Sequence, residues 1–466
     1  MKYISTRGQA PVLGFGDVLL AGLAADGGLY VPDRWPVLSA EALSGQPGRG
    51  DYADLAAEVM WPFVDGAYTR GRFDELVQDA YTGFGHPDVV PMVELGDGLW
   101  LMELFHGPTF AFKDVALQLV GRLFDEELAR RGERVTIVGA TSGDTGSAAI
   151  EAVSDRENIQ IVILHPYGRV SDIQRRQMTT VDSANVHNVA IEGTFDDCQD
   201  LVKAMFADPA FRADHHLSAV NSINWARVMA QTVYYVAAAT RFDQKAVSFS
   251  VPTGNFGNVL AGHVARQMGL AVNRLIVASN RNDILTQFFT TGSMAVSEVH
   301  PTLSPSMDIQ VSSNLERLLF ELLDRDGRRT AELLDGFRAT GRMQIDHRLA
   351  TQIKRGWSGL KADDAETTAT IADVYGETGM IIDPHTAVGL AAARRSRGEL
   401  EGPVVAMATA HPAKFGDAVE AAIGKRPPMP PALAEAVRRP EHCVRLPGDL
   451  VAVKAHVARC SAVSSA

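Results

Sequence analysis

The sequence predicts an α/β protein built on mostly parallel sheet. Two observations carry this reading. From about residue 133, short β-branched runs alternate with helical patterns, the rhythm of βαβ units. Loops rich in Gly, Ser and Thr leave the ends of those runs and open directly into helices. VTIVG (135–139) reads as a buried strand, followed by the loop ATSGDTG and the helical SAAIEAVSD. IQIVILHP (159–166) is the next strand, then a polar helical stretch, then the strand VHNVAIEG (186–193). FDDCQDLVKAMFAD sets Cys198, Leu201, Val202 and Met205 at helical spacing. AVSFSVP (246–252) is a strand, TGNFGN a loop, VLAGHVARQMGL a helix and RLIVASN (274–280) a further strand.

The remaining segments read differently. The first ~90 residues are rich in Gly, Pro, Trp and acidic residues and read as a mainly helical cap. Residues 314–400 are strongly helical in pattern, NLERLLFELLDR included, and VVAMATA (404–410) returns to the sheet. A Pro-rich segment (426–440) leads to a short tail. The expected organisation is a cap over 1–92, an α/β domain over 93–245, a second over 246–425 and a C-terminal tail over 426–466.

A chain of 466 residues has ample length for sizeable cores, and 46% hydrophobic with 21% charged residues is ordinary for a globular protein. The net charge of −12 argues against a dedicated nucleic-acid binder, which carries a basic excess. It leaves room for a local basic pocket that takes a small anion. Cys198, Cys443 and Cys460 are odd in number and follow no CxxC or Cys/His metal spacing, so no metal site is expected. A reduced compartment fits these thiols, and no run approaches the ~20 apolar residues of a membrane span. With no apolar segment behind the N-terminus, the expectation is a soluble cytoplasmic protein.

Five segments carry chemistry, one of them ATAHPAKF (408–415), where a hydroxyl at Thr409 on a strand end can hydrogen-bond a heterocyclic nitrogen. In TGNFGN, Gly254 and Gly257 permit positive φ and close backbone approach, and the following helix adds its N-terminal partial charge, which together describe a phosphate cradle. An ordinary strand-to-helix turn has the same glycines. ATSGDTG sets the hydroxyls of Thr141, Ser142 and Thr145 and the Asp144 carboxylate around Gly143. Such a loop can bind a carboxylate or phosphate, or cap its helix through Ser142 or Asp144. HGPTFAFKD places Lys113 behind Phe110, Ala111 and Phe112. Desolvation there favours the free amine that a Schiff base to an aldehyde cofactor needs, though Asp114 can also simply pair with it. NSINWAR gathers Asn221, Ser222 and Arg227, suited either to phosphate recognition or to capping the next helix.

Taken together, these segments resemble the threonine synthases, pyridoxal-phosphate enzymes of fold type II. YISTRGQAP (3–11) and GLAADGGLYVP (22–32) are similar to that family's N-terminal signature. HGPTFAFKD, GATSGDTGSAA, GNFGN and ATAHPAKF (408–415) follow in the family's order. The resemblance implies two mostly parallel α/β domains under a helical cap. It also implies the conversion of O-phospho-L-homoserine and water to L-threonine and phosphate, with pyridoxal 5'-phosphate as cofactor.

By that resemblance Lys113 carries the cofactor and serves as general base, and Gly254, Asn255, Phe256, Gly257 and Asn258 cradle its phosphate. Thr409 faces the pyridine nitrogen. Asp144 stands where many fold-type-II enzymes carry an Asn near the cofactor 3-hydroxyl. Thr141, Ser142 and Thr145 contact substrate, while Asn221, Ser222 and Arg227 hold its phosphate. A serine/threonine dehydratase or a tryptophan-synthase-β-like protein shares the lysine and the Gly-rich loop but has no use for a second phosphate site. A non-catalytic cofactor-binding homologue is the alternative outside enzymes.

Overall fold

A computed structural model describes residues 1–44, 51–141, 143–219, 222–243 and 245–462. The chain divides into two compact units, each discontinuous in sequence: residues 1–112 with 222–428, and residues 113–221 with 429–466.

The first unit is built on a six-stranded sheet. Trp357–Lys361, Val272–Ser279, Val247–Pro252, Val404–Ala408 and Leu99–Glu103 run parallel in that spatial order, and Met92–Gly96 closes the edge antiparallel. The strand Val247–Pro252 is buried throughout, as its near-continuous apolar run demands of a central parallel strand. The helix Pro384–Ser396 serves two clusters at once. Its Ala387, Leu390 and Ala393 pack with Leu99, Leu101, Val404 and Ala406, while Val388, Ala391 and Ala392 meet Ile276 and Ala278. The N-terminal region is mainly helical as expected, through Phe15–Ala21, Tyr52–Val64 and Arg70–Tyr81, with one small antiparallel pair, Tyr3–Ser5 and Tyr30–Pro32.

The second unit carries a five-stranded parallel sheet in the order Val444–Pro447, Val186–Glu192, Ile159–Pro166, Val135–Ala140, Leu217–Ser218. Two helices dominate one side of its chemistry, Lys113–Arg131 and Asp144–Val153. They approach closely at Gly121, where a Cβ would stand 2.2 Å from the Ala152 carbonyl oxygen.

Two stretches differ from their sequence reading. The region 314–400 holds a sheet strand, Trp357–Lys361, among its helices. Its WSGLK is too short and too polar to show as a strand by pattern. The C-terminal segment is no loose tail. Val444–Pro447 pairs in parallel with Val186–Glu192, and Val453, Val457 and Cys460 of Leu450–Ala462 pack on Val138, Val162, Leu164 and Val189.

Gly121→Ala tests the close helix contact. Helix propensity alone favours Ala over Gly by about 1 kcal/mol, whereas forcing a methyl against a backbone carbonyl costs about 1–3 kcal/mol. The contact is expected to win, lowering the urea midpoint of the second unit. A stabilised variant would show that the two helices have room to spare.

Candidate active site

Parallel strands end at one edge, and the chemistry-bearing loops of the first unit leave from it. Val404–Ala408 lies between Val247–Pro252 and Leu99–Glu103, so Thr409, the loop 253–258 and the segment 104–112 all depart from adjacent carboxyl ends. The Thr409 carbonyl accepts from Phe112 N at 2.9 Å, and Ala111 bridges Ala410. This joins the lysine segment to the late strand just before Lys113. The Phe110 ring meets His411 edge-on at 5.9 Å. Burial, with the charge of His106 adding to it, pulls the His411 pKa down to about 4.

The loop 253–258 has the predicted close approach, but its unusual backbone falls elsewhere than expected. Positive φ belongs to Phe256 (φ 67°), not to Gly254 or Gly257. The cause is packing. The Phe256 ring is buried and stacks on Phe289 at 5.8 Å and on Trp357 at 5.6 Å, which holds the residue in a conformation it would not choose alone. Gly254 is required by space: a Cβ would stand 2.7 Å from the Ser306 carbonyl oxygen. Behind the loop, Ser312 Oγ donates to Gly254 O at 2.7 Å and Asn314 Nδ2 to Asn255 O at 3.1 Å. The same amide donates to Ser222 O at 2.9 Å, so Asn314 ties the loop to the NSINWAR segment. Neither Ser312 nor Asn314 carries a sequence signal; only the fold brings them here.

Asn258 opens the helix Gly257–Gln267 with its Oδ1 accepting from Tyr234 at 2.6 Å and Tyr235 at 2.9 Å. Its Nδ2 is buried and has no hydrogen-bond partner among the described residues. The same holds for Nη1 of Arg227, a residue 5% exposed. Burial pulls the Arg227 pKa down to about 10, which leaves it charged at neutral pH. Arg227, Gln231 and Tyr234 sit one turn apart along Trp225–Ala239, on the side that faces the start of the 257–267 helix. Each is a buried donor with hydrogen-bonding capacity that an anion can take up. Asn224, in the same segment, caps the Arg227 helix through Ala226 N at 3.0 Å. Capping in this motif thus falls to Asn224.

In the second unit, Lys113 is buried at the first turn of its helix, with Nζ 3.6 Å from Asp144 Oδ2. The apolar flank seen in sequence is therefore only part of its environment, since a carboxylate favours the protonated amine. Asp144 begins the next helix without capping it; Gly143 is the N-cap and no side chain fills that role. The Thr141 hydroxyl accepts from Gly143 N at 3.1 Å and Gly146 N at 2.9 Å, folding its own loop. Thr145 is half-buried. Ser142 and Asn221 lie outside the described residues.

Comparison with known proteins settles the family. Models of the threonine synthase N terminus and C-terminal region match residues 2–81 and 386–457, and one for pyridoxal-phosphate dependent enzymes matches 90–349. The chain is 53% identical to a threonine synthase of Pseudomonas aeruginosa, covering 98% of both chains. The chain belongs to the threonine synthase family. A threonine synthase of Corynebacterium glutamicum is 46% identical over 98% of each chain. The structure of pyridoxal-phosphate-bound threonine synthase from Brucella melitensis superposes with a TM-score of 0.96 at 49% identity, covering 99% of both chains. The yeast threonine synthase structure gives 0.94 at 37% identity over the same coverage. The fold is thus that of the type-II pyridoxal-phosphate enzymes, and the buried lysine, the tight loop at a helix N-terminus and the orphaned Asn258 amide suit that cofactor.

Gly254→Ala tests the loop. Moving the backbone away from Ser306 costs about 1–3 kcal/mol, so cofactor affinity by equilibrium titration is expected to fall about tenfold or more. Unchanged affinity would separate the loop from cofactor binding.

Proposed function

We propose that this chain is a lyase of threonine biosynthesis that converts O-phospho-L-homoserine and water to L-threonine and phosphate by γ-elimination and β-replacement. The observation that carries the reading beyond the family is Arg227, a buried charged guanidinium whose Nη1 has no acceptor among the described residues. A substrate that brings its own phosphate supplies one. The loop Thr253–Asn258 contains no Lys or Arg, so backbone N–H groups and the helix N-terminus suffice for the cofactor phosphate and leave Arg227 to the substrate.

Bound pyridoxal phosphate supplies an electron sink for carbanion chemistry on the amino acid. The chain's residues do the rest. Lys113 Nζ would hold the cofactor, and its amine is the group that would take the proton from Cα and then from Cβ. Loss of the Cβ proton lets phosphate leave from Cγ, where Arg227, with Asn221 and Ser222, holds the departing charge. Water then adds at Cβ and protons return to Cγ and Cα. Gly254, Asn255, Phe256, Gly257 and Asn258 would hold the cofactor phosphate, Thr409 its ring nitrogen and Asp144 its other edge. Thr145 and Ser142 orient substrate, and Thr141 supports that role by shaping the loop.

We place the enzyme in the cytoplasm, in keeping with three free cysteines; no helix among the described residues is long and apolar enough to cross a membrane. The partner is a small molecule rather than nucleic acid, in keeping with the net charge of −12.

The direct assay is release of threonine and phosphate in equal amounts from phosphohomoserine; phosphate without threonine rejects the proposal. Arg227→Ala is expected to keep its cofactor and visible spectrum. Losing one charge-assisted contact costs roughly 1.5–3 kcal/mol, about one to two decades in kcat/KM. Part of the loss falls in kcat, because phosphate is the leaving group. Release of the cofactor, or parental kinetics, would contradict the assignment. Borohydride reduction and peptide mapping are expected to find the cofactor on Lys113 alone.

A further inference from the structure

We propose that Gln174 is a positioning residue for the cofactor-bearing amine: its side-chain amide fixes the Asp144 carboxylate so that one oxygen is turned on Lys113 Nζ. The inference rests on Lys113 as the attachment point. Gln174 Nε2 donates to Asp144 Oδ1 at 2.9 Å, while Asp144 Oδ2 lies 3.6 Å from Lys113 Nζ. All three residues are buried. The terminal torsion of an Asp side chain is soft and roughly two-fold, so its rotamer alone does not aim the carboxylate. A hydrogen bond to one oxygen does.

The amide is itself held from its other end. Ser171 Oγ donates to Gln174 Oε1 at 3.0 Å, which leaves the NH2 group to face Asp144. Ser171 is the N-cap of Asp172–Thr179, so the helix that carries Gln174 also fixes the hydroxyl that orients it. Gly143 leaves the necessary room, since a Cβ there would stand 2.6 Å from Gln174 Nε2. Backbone, hydroxyl, amide and carboxylate form one line ending at the amine.

The consequence is electrostatic. A carboxylate this close favours a cationic nitrogen at position 113, and its grip depends on Gln174. Other titratable groups lie on the helices that carry these residues. The helix Asp144–Val153 carries one more titratable group, Glu151, two turns farther on, and Asp114 directly follows the lysine on its own helix. On Asp172–Thr179, Asp172 and Arg175 pair at 2.9 Å, and Arg175 and Arg176 engage Glu441.

The test is the visible absorbance of the holoenzyme against pH for the parent, Asp144→Asn, Gln174→Leu, and both together. Gln174→Met, close in length and without a donor, runs in parallel in case the leucine variant fails to fold. Asp144→Asn is expected to bring the deprotonated spectrum in at a pH lower by about one unit or more. Gln174→Leu is expected to move it the same way by a fraction of that, and to add nothing in the Asp144→Asn background. A merely structural glutamine would act alike in both backgrounds. Gln174 variants that track the parent across the whole range, or that shift both backgrounds equally, overturn the proposal. If reduction fixes the cofactor on a lysine other than Lys113, the underlying assignment fails instead.

Discussion

A parallel strand cannot turn back on itself; it must be followed by a crossover, and the crossover begins at its carboxyl end. In the first unit that constraint puts the ends of Leu99–Glu103, Val404–Ala408 and Val247–Pro252 side by side. The segment leading to Lys113, the Thr409 corner and the loop 253–258 therefore share one sheet edge without any loop having to reach for another. The same rule in the second unit sends Val135–Ala140 into the loop that presents Asp144 at the start of a helix. Within the first unit Thr409, the loop 253–258 and the segment 104–112 are distant in sequence because crossovers are long, and the sheet edge brings them together.

Two buried arginines show how structural and functional charge differ here. Burial lowers the pKa of Arg317 to about 9 and that of Arg227 to about 10. Arg317 is well supplied: its guanidinium donates to Tyr30 O at 3.0 Å, to Ile223 O at 2.6 Å and to Asn314 Oδ1. It holds Asn314 in place, and Asn314 holds both the cofactor loop and Ser222. Among the described residues, Nη1 of Arg227 has no acceptor. A desolvated guanidinium donor without an acceptor costs about 1–3 kcal/mol or more, a cost that an incoming anion removes.

The sequence made the strands legible where β-branched runs were continuous, as in Ile159–Pro166, whose observed bounds match the pattern. It failed where a strand is short and polar, as in Trp357–Lys361, and where an element is completed by distant chain, as with Val444–Pro447. At the candidate site, the motifs singled out Lys113, the Gly-rich loop and Arg227, and the structure buries Lys113 and Arg227. Motif order did not reveal that the left-handed residue is Phe256, because that depends on ring stacking with Phe289 and Trp357. Nor did it reveal Asn314 or Gln174, whose roles exist only through tertiary contact.

In the proposed reaction phosphate leaves by cleavage of the carbon–oxygen bond at Cγ while water oxygen enters at Cβ. Turnover of phosphohomoserine in water enriched in oxygen-18, read by mass spectrometry of both products, distinguishes this from attack at phosphorus. One labelled oxygen is expected in the threonine hydroxyl and none in the phosphate. Label in the phosphate would mean attack at phosphorus and would contradict the proposed reaction.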